Sequence, residues 1–434
     1  MKMHSAHNIL FLEFRYTLIF VIRWSILSLF IGFLSGSASA FFLVALEYAT
    51  NTRLEYPNLL FILPFAGLFI GFVYHTWGES VVKGNNQLIE QIHNPRKVIP
   101  LRMTPFVLIG TILTHLFGGS AGREGTAVQM GASLADQLTH INRIKIFRRM
   151  LGRIRPIDRK MLLIAGISGG FASVFGTPIA GAIFGLEVFL LGRLQFDAIL
   201  PSLLTAIIAD YVTQSLWSVG HTQYFVPFVP NLDSIGLCIS IFCGIGFGLA
   251  ARFFSASTHF VTKLFSKWIS YPPFRPLVGG FLFATIINLT DTYRYIGLGI
   301  PEIVESFEKQ QSIFSFLIKS LYTSFTLASG FKGGEVTPLF YIGSHLGNAF
   351  SQFLPLPLPL LASMGFVAVF AGAANTPLAC TIMAIELFGI QVGVYASIAC
   401  VFAYLSSGHS GIYSSQLLGS NSKIRNNQRK NNLL

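Results

Sequence analysis

Charged residues are scarce in this chain of 434 residues. Aspartate, glutamate, lysine and arginine together make up 11% of it, whereas hydrophobic residues make up 52%. A typical soluble domain carries about 25% charged residues. The sequence also has no long polar stretch from which a second, soluble domain could be built. These shortages exclude an ordinary soluble protein and predict a polytopic membrane protein with one integral domain.

Cysteine is also rare, and its positions suggest neither a metal site nor a disulfide framework. All four cysteines lie in apolar runs, where a core role is the usual one: Cys238, Cys243, Cys380 and Cys400. The sequence lacks His-Glu-x-x-His and Gly-x-x-x-x-Gly-Lys-Ser/Thr, which disfavours a metalloprotease and a nucleotide-driven pump. No metal and no cofactor is therefore expected.

Acidic residues are fewer than basic ones, 18 against 30, and the excess of positive charge is concentrated in two segments. Segment 143–160 has eight basic residues and one acid, and segment 419–434 has four basic residues and no acid. Short basic segments beside membrane spans mark the cytoplasmic side. We therefore expect a multi-pass protein of the plasma membrane whose termini are cytoplasmic. The excess of positive charge is not expected to bind nucleic acid, and the lipid bilayer is the expected partner. Residues 1–23 show no signal-peptide cleavage site and predict an amphipathic cytoplasmic segment.

The apolar runs are too short and too interrupted for a bundle of uniform spans. An upright helix needs about 20 apolar residues to cross a bilayer. Several runs here are shorter and contain glycine or proline, which is typical of broken helices that line a cavity. The runs are 24–46, 59–74, 105–117, 162–174, 196–216, 235–251, 276–287, 315–328 and 392–405. They predict a membrane domain over residues 24–416, followed by a basic cytoplasmic tail at 417–434.

Three motifs of the first half recur in the same order in the second half. They pair segment 84–90 with 297–302, segment 122–131 with 334–343, and segment 171–187 with 370–386. The repeats therefore cover about 24–217 and 233–413. The connection 143–160 is strongly basic, whereas its counterpart 354–359 carries no charge, which indicates halves inserted in opposite orientations. The predicted fold is all-α, with two inverted-topology repeats whose broken helices meet near the midplane.

The segment 118–126, Gly-Gly-Ser-Ala-Gly-Arg-Glu-Gly-Thr, places two full charges and four glycines between apolar runs. An ionisable residue at membrane depth is costly and by default marks function. Glycines allow the backbone to approach a ligand closely, and the start of the following helix offers N–H groups that suit an anion. The pattern predicts an anion pathway in which the Glu124 carboxylate can occupy or vacate the site.

These motifs resemble those of the CLC anion channels and proton-coupled antiporters over most of the chain. The resemblance is carried by Gly-Arg-Glu-Gly at 122–125, Gly-Asn-Asn at 84–86, Gly-Glu-Val-Thr-Pro at 334–338, and Tyr413. It implies a homodimer with one anion pathway in each subunit. It also implies that Glu124 is the gating and proton-carrying glutamate.

At several positions the sequence departs from the usual family pattern, and the residues found there resemble those of the fluoride/proton antiporter branch. Thr126 replaces the proline after Gly-Arg-Glu-Gly, and Asn85 replaces the anion-coordinating serine. Val336 stands where the family has phenylalanine and follows Glu335, while Val188 stands where chloride/proton members have a proton-relay glutamate. The resemblance implies export of fluoride in exchange for protons, with Glu335 as a possible second proton carrier.

Fluoride is small and tightly hydrated, so its binding site must replace lost water with several hydrogen-bond donors. Donors are available in the predicted site from the Asn85 amide, the Thr337 and Tyr413 hydroxyls, and backbone N–H groups at helix starts. The predicted anion-binding residues are Asn85, Gly125, Val336, Thr337 and Tyr413.

Other functions remain open from the sequence. The nearest alternative is a chloride/proton exchanger or a passive chloride channel of the voltage-gated type in the same family. A remote alternative is an intramembrane serine protease, since segment 166–170 reads Gly-Ile-Ser-Gly-Gly, although no histidine base follows nearby. An ion transporter is therefore expected rather than an enzyme.

Individual residues also have plainer interpretations. Glu124 could pair with Arg123, and Glu335 could face a cytoplasmic vestibule beside Lys332. Asn85 could only cap the next helix, and Tyr413 could be an interfacial aromatic. Two further acids match across the repeat, which favours a structural role near a helix end: Glu187 and Glu386.

Overall fold

The computed structural model describes residues 2–191, 194–409 and 411–418. The helices are α1 Lys2–Glu55, α2 Leu63–Trp77, α3 Asn85–His93, α4 Met103–Leu116, α5 Glu124–Gln137, α6 Lys145–Leu151, α7 Pro156–Phe175, α8 Pro178–Glu187, α9 Ile199–Tyr211, α10 Ser234–Trp268, α11 Phe274–Thr290, α12 Ile300–Glu308, α13 Ser315–Ala328, α14 Val336–Phe350, α15 Leu358–Ala374, α16 Pro377–Phe388 and α17 Ile390–Ser406. Two short strands, β1 Leu190–Leu191 and β2 Leu417–Leu418, pair in parallel. The all-α prediction is confirmed.

Few of the helices are long enough to cross a bilayer on their own. Among the described residues, four spans have the length and hydropathy for it, at Glu13–Glu55, Pro57–Thr76, Phe196–Leu216 and Ser234–Trp268. The other apolar helices are shorter, as the interrupted apolar runs predict. Helix α1 runs without a break from the predicted N-terminal segment into the first span. Most of the predicted basic tail, residues 419–434, lies outside the described residues.

The two repeats pack their glycine-containing helices in the same way. In the first repeat, α5 meets α7 so closely that a Cβ on Gly131 would lie 2.3 Å from the Gly166 carbonyl oxygen. In the second, α14 meets α15, and a Cβ on Gly343 would lie 2.0 Å from the Gly365 oxygen. Neither position leaves room for a side chain. Equivalent glycines therefore bring equivalent helix backbones into contact in both halves.

Two acids hold the repeats together by capping each other's helices. The carboxylate of Glu187, at the end of α8, accepts hydrogen bonds from two backbone N–H groups at the start of α16, at 3.1 and 2.8 Å. Glu386, in the last turn of α16, accepts from two N–H groups at the start of α8, at 2.9 and 2.8 Å. A carboxylate is stabilised at a helix start, where N–H groups lack partners. Both acids therefore have the structural role that their match across the repeat favours.

A buried ion pair fixes the end of the first repeat that carries the basic connection. Arg159, in the first turn of α7, donates to both carboxylate oxygens of Asp136 in α5, at 2.7 and 2.9 Å. The same carboxylate accepts from the Ile99 backbone N–H at 2.7 Å. These bonds join α5, α7 and the segment after α3. They set the position of α3, which carries Asn85, relative to α5, which carries Glu124.

Candidate functional site

Two glycine loops, one from each repeat, pair at the centre of the helix bundle. Gly122 and Gly334 exchange both backbone hydrogen bonds in an antiparallel bridge, at 2.6 and 2.7 Å. A Cβ on Gly334 would lie 2.8 Å from the Gly125 nitrogen, so this approach requires glycine. Because α5 begins at Glu124 and α14 at Val336, the pairing brings two helix N-termini side by side. This convergence is what the inverted repeat predicts.

Glu124 lies between these helix starts and is 1% exposed. Its carboxylate accepts from the Thr337 backbone N–H at 3.0 Å and from the Thr337 hydroxyl. It also accepts from the Arg123 backbone N–H at 3.1 Å. The carboxylate thus occupies donors that belong to both repeats. These donors would otherwise suit a small anion.

Arg123 and Glu124 contact each other although they are adjacent in sequence. The Arg123 Nε atom lies 3.6 Å from Glu124 Oε1, within ion-pair range but without a hydrogen bond. Adjacent side chains rarely meet inside a helix, but Arg123 precedes the first residue of α5. The plainer interpretation of Glu124 as a partner of Arg123 is therefore present in the structure, alongside its contacts with Thr337.

Asn85 and Glu335 face the start of α5. A Cβ placed on Gly125 would lie 3.0 Å from Asn85 Nδ2 and 3.8 Å from Glu335 Oε2, which shows how close both side chains come. Asn85 does not cap α3, because the N-cap is Gly84 and no side-chain cap bond forms. Within the described part of the chain, Asn85 Oδ1 and Glu335 Oε2 are buried without a hydrogen-bond partner. Both atoms are available to water or to a ligand.

Tyr413 and Val336 are buried, and Tyr413 lines the same cavity as Asn85 and Glu335. An interfacial position for Tyr413 is therefore wrong. Val188, in the place of the proton-relay glutamate, borders a very small apolar cavity together with Asn85 and Tyr413. Its valine side chain offers no proton carrier there. The structure thus brings all five predicted anion-binding residues, and both predicted acids, to one region.

Two cavities that share no lining residue border the paired loops. One, the lysine cavity, has a volume of about 150 Å³ and contains Lys83, Lys332 and Glu335 in its lining. The other, the arginine cavity, has a volume of about 350 Å³ and contains Arg53, Arg123 and Arg294. Lys332 lines the same cavity as Glu335, which is compatible with the plainer interpretation of Glu335, and its ammonium lies 4.2 Å from the centre of the Tyr74 ring. Arg123, which lies within ion-pair distance of Glu124, lines the arginine cavity.

Two supports of the loop were not predicted from the sequence. The Thr126 hydroxyl, noted only as a departure from the family pattern, lies 2.7 Å from the Thr111 hydroxyl of α4. The buried His115 ring lies 2.8 Å from the Thr111 carbonyl oxygen and 2.9 Å from that of Ala121. The position of His115 just before the glycine loop was the available signal. Both contacts fix the loop that carries Glu124 against α4.

The remaining chemical alternatives find no support in the geometry. The Ser168 hydroxyl donates to the Ala182 carbonyl oxygen at 3.5 Å, which is its only side-chain hydrogen bond within the described residues. Among those residues, no general base therefore contacts the serine that a protease would need as its nucleophile. No cluster of three or more His, Cys, Asp or Glu side chains suited to a metal ion occurs among residues 2–191, 194–409 and 411–418.

A family model described as "Voltage gated chloride channel" matches residues 66–408, which is most of the chain. The chain belongs to the CLC family. This membership confirms the resemblance drawn from the motifs, and it confirms that the protein is an ion transporter rather than an enzyme.

Relatives within the CLC family extend over nearly the whole chain. A "Chloride/fluoride channel protein" of Pseudomonas syringae pv. tomato is 49% identical over 406 residues, covering 92% of this chain and 87% of the relative. The "H(+)/Cl(-) exchange transporter ClcA" of Vibrio vulnificus is 26% identical over 425 residues, covering 90% and 88%. A solved CLC-type fluoride/proton antiporter superposes with a TM-score of 0.86 at 33% identity, covering 91% of this chain and 98% of that one. A cyanobacterial Cl⁻/H⁺ antiporter, at 19% identity and a TM-score of 0.75, shares the CLC fold.

Proposed function

We propose that this CLC protein exports fluoride in exchange for protons. The observation that carries the proposal is the position of Glu124, whose carboxylate accepts from the Thr337 N–H and hydroxyl at the junction of the two repeats. A dehydrated anion needs such donors, and two negative charges cannot share them. Protonation of Glu124 weakens its hold on the donors and frees them for the anion. Proton uptake by the carboxylate and binding of the anion are therefore linked.

A second acid, Glu335, gives the proton a route between Glu124 and the lysine cavity. Glu335 lines the lysine cavity, and its Oε2 atom is buried without a hydrogen-bond partner among the described residues. A protonated Glu335 can donate to fluoride or pass its proton on, whereas the valine at 188 can do neither. We therefore assign Glu335 as the second proton carrier.

The donor set favours fluoride over chloride. Asn85 presents an amide next to Gly125, Thr337 presents a hydroxyl, and Tyr413 borders the same cavity. Fluoride is a stronger hydrogen-bond acceptor than chloride and gains more from such donors, which offsets its larger dehydration cost. Relatives at 49% and 33% identity carry fluoride in their names, which supports the same choice.

The sequence also supports a location, an orientation and an oligomeric state for the transporter. We infer that residues 24–416 form the transport domain of a homodimer in the plasma membrane, with cytoplasmic termini. The basic segment 143–160 supports that orientation, and the resemblance to the CLC family supports the dimer. Mass photometry of the detergent-purified protein tests the dimer, since a single species at the monomer mass would contradict it.

Flux from liposomes tests the function. Liposomes loaded with fluoride and containing the purified protein should take up protons as fluoride leaves, and chloride should move much more slowly. A chloride/proton exchanger would drive the same proton uptake with chloride. A passive channel would pass the anion without proton movement when the membrane potential is clamped by valinomycin and potassium, and that result would eliminate the antiporter.

A further inference from the structure

Three buried donors without a hydrogen-bond partner converge on the arginine cavity, and one of them, Arg123 Nε, lies within ion-pair distance of Glu124. Arg53 Nη1, Arg123 Nε and Thr50 Oγ1 are buried and have no hydrogen-bond partner within the described residues, and all three residues line this cavity. Each unpaired buried polar group costs about 1–3 kcal/mol, and more when it is charged. Three such groups in one place indicate that the cavity holds an acceptor when the protein works.

Arg53 is the most informative of the three. It lies in the last turn of α1 and is only 6% exposed, yet no carboxylate of the described residues lies within ion-pair distance of it. The chain makes room for it at Gly297, where φ is +62° and a Cβ would lie 2.0 Å from Arg53 Nη1. A buried arginine is usually paired. Gly297 leaves the space that the Arg53 guanidinium occupies, and no acid of the described residues fills the position beside it.

Charges of both signs surround the cavity, and Arg53 is the lining arginine that has no acid within ion-pair distance in the described part of the chain. Arg294, which also lines it, is bonded to Glu305 and to Gln311, the latter at 2.6 Å. Two acids, Glu47 and Glu302, oppose the three arginines in the lining.

Lys319 adds a further positive charge behind the wall of the cavity. It is fully buried and donates to the carbonyl oxygens of Tyr295 and Gly297, at 3.0 and 2.7 Å. It therefore has neutral partners. Its ammonium binds Gly297, the residue against which the Arg53 guanidinium packs, and so adds positive charge on the Arg53 side of the cavity.

We propose that the arginine cavity is a second anion site, separate from the donors held by Glu124, which binds a halide through Arg53, Thr50 and Arg123. The proposal rests on the anion transport proposed above and adds a step to it. Arg123 Nε lies 3.6 Å from Glu124 Oε1, so the same guanidinium faces both the gating carboxylate and the cavity. An anion waiting in the cavity competes with Glu124 for Arg123. Exchange at the donors held by Glu124 is thus coupled to occupancy of the arginine cavity.

Anomalous diffraction from crystals soaked in bromide tests the site directly, because it reads binding without transport. Bromide is chosen because it scatters anomalously and a cavity of about 350 Å³ has room for it. The wild type should show an anomalous peak beside Arg53. Arg53→Gln should lose it, Arg53→Lys should keep it, and the matched control Lys309→Gln, at an exposed residue outside the cavity, should also keep it.

Three results would overturn the site. A wild type without the peak leaves the cavity without an anion. A peak that survives in Arg53→Gln is an adventitious ion only. A peak that disappears in Lys309→Gln reports general surface charge. If Arg53→Gln does not yield crystals, Thr50→Val should weaken the same peak, and an unchanged peak there would count against the site.

Transport kinetics supply the second readout. Arg53→Gln should raise the half-saturating fluoride concentration by about threefold to tenfold with little change in maximal rate, and Arg53→Lys should restore much of the affinity. A fall in maximal rate alone, not rescued by lysine, would show a merely structural role. Wild-type exchange measured on the same preparations shows whether the proposed function holds. Failure of anion binding in the arginine cavity and failure of the antiporter are therefore distinguishable.

Discussion

Among single residues, Thr337 gives the site most of its donor capacity. Its backbone N–H and its hydroxyl both reach the Glu124 carboxylate, and they would reach an anion that took the place of that carboxylate. A threonine at the first turn of a helix can offer both groups in one direction because the N–H there has no intrahelical partner. The side chain is thus a donor that the helix start by itself would not supply.

Replacing Thr337 with valine should therefore slow fluoride exchange. A hydrogen bond to a charged group contributes about 1.5–3 kcal/mol, so the loss of the hydroxyl should reduce the rate about tenfold or more at low fluoride. Thr337→Ser keeps the hydroxyl and should retain most of the activity. The measurement is fluoride efflux from liposomes with a fluoride electrode. Equal rates for the valine and serine variants would show that the hydroxyl is not used.

Glu335 allows a direct choice between a proton carrier and an idle vestibule residue. Glu335→Gln cannot carry a proton, so proton-coupled fluoride exchange should fall by at least tenfold if Glu335 is the second carrier. Glu308→Gln, at an exposed acid outside both cavities, is the matched control and should behave as the wild type. Proton uptake is read with a pH electrode in weakly buffered solution. Unchanged proton coupling in Glu335→Gln would show that Glu335 carries no proton and only faces the cavity with Lys332.

The residues of the site could be named from the sequence, but their partners could not. Glu124, Glu335 and Thr337 belong to short motifs whose residue types suggest anion chemistry. The contact of Thr126 with Thr111, and the unpaired state of Arg53, depend on how helices distant in sequence pack. No local pattern marks Arg53, since a basic residue at the end of a helix is ordinarily a solvated one that stabilises the helix dipole.

At the scale of elements, the glycine contacts decide how closely the central helices approach. The α14 backbone reaches α15 at Gly343, and the matching contact joins α5 to α7 at Gly131. Because α5 and α14 carry Glu124 and Thr337 at their starts, their packing sets the separation between the carboxylate and its donors. The reciprocal caps of Glu187 and Glu386 hold the next pair of helices in the same way.

A methyl group at Gly343 should therefore destabilise the protein. The added Cβ would lie 2.0 Å from a backbone oxygen that cannot move aside, and overpacking of this kind costs about 1–3 kcal/mol, more than the gain in helix propensity from alanine. Gly220→Ala is the matched control, because nothing lies within 4 Å of a Cβ there. Thermal unfolding in detergent, followed by tryptophan fluorescence, should show a lower midpoint for Gly343→Ala alone. Equal midpoints for the two variants would contradict the packing.

The apolar runs predicted the positions of the helices better than they predicted the helix ends. The runs predicted interrupted spans, and the structure has them, but α1 continues through the boundary expected at residues 23–24. The sequence of residues 1–23 is mixed in polarity, and mixed polarity does not by itself end a helix. The caps of α8 and α16 show the opposite case, since a match across the repeat at Glu187 and Glu386 was enough to favour a structural role.

At the scale of the whole molecule, two inverted halves create one closed centre between two cavities. The antiparallel bridge between Gly122 and Gly334 joins the halves, and the two cavities share no lining residue and each have their own basic residues. The motif order and the asymmetry of charge made this architecture predictable from the sequence, because a repeat fixes topology even where single contacts remain unknown.

Coupled exchange depends above all on the exclusion between the Glu124 carboxylate and the transported anion. Simultaneous recording of fluoride and proton fluxes from liposomes containing wild-type protein or Glu124→Gln tests it most directly. Glutamine removes the charge and the proton but keeps the size of the side chain. We predict that the wild type couples fluoride efflux to proton uptake and that Glu124→Gln shows no proton-coupled exchange. Full proton-coupled turnover in Glu124→Gln would contradict the account.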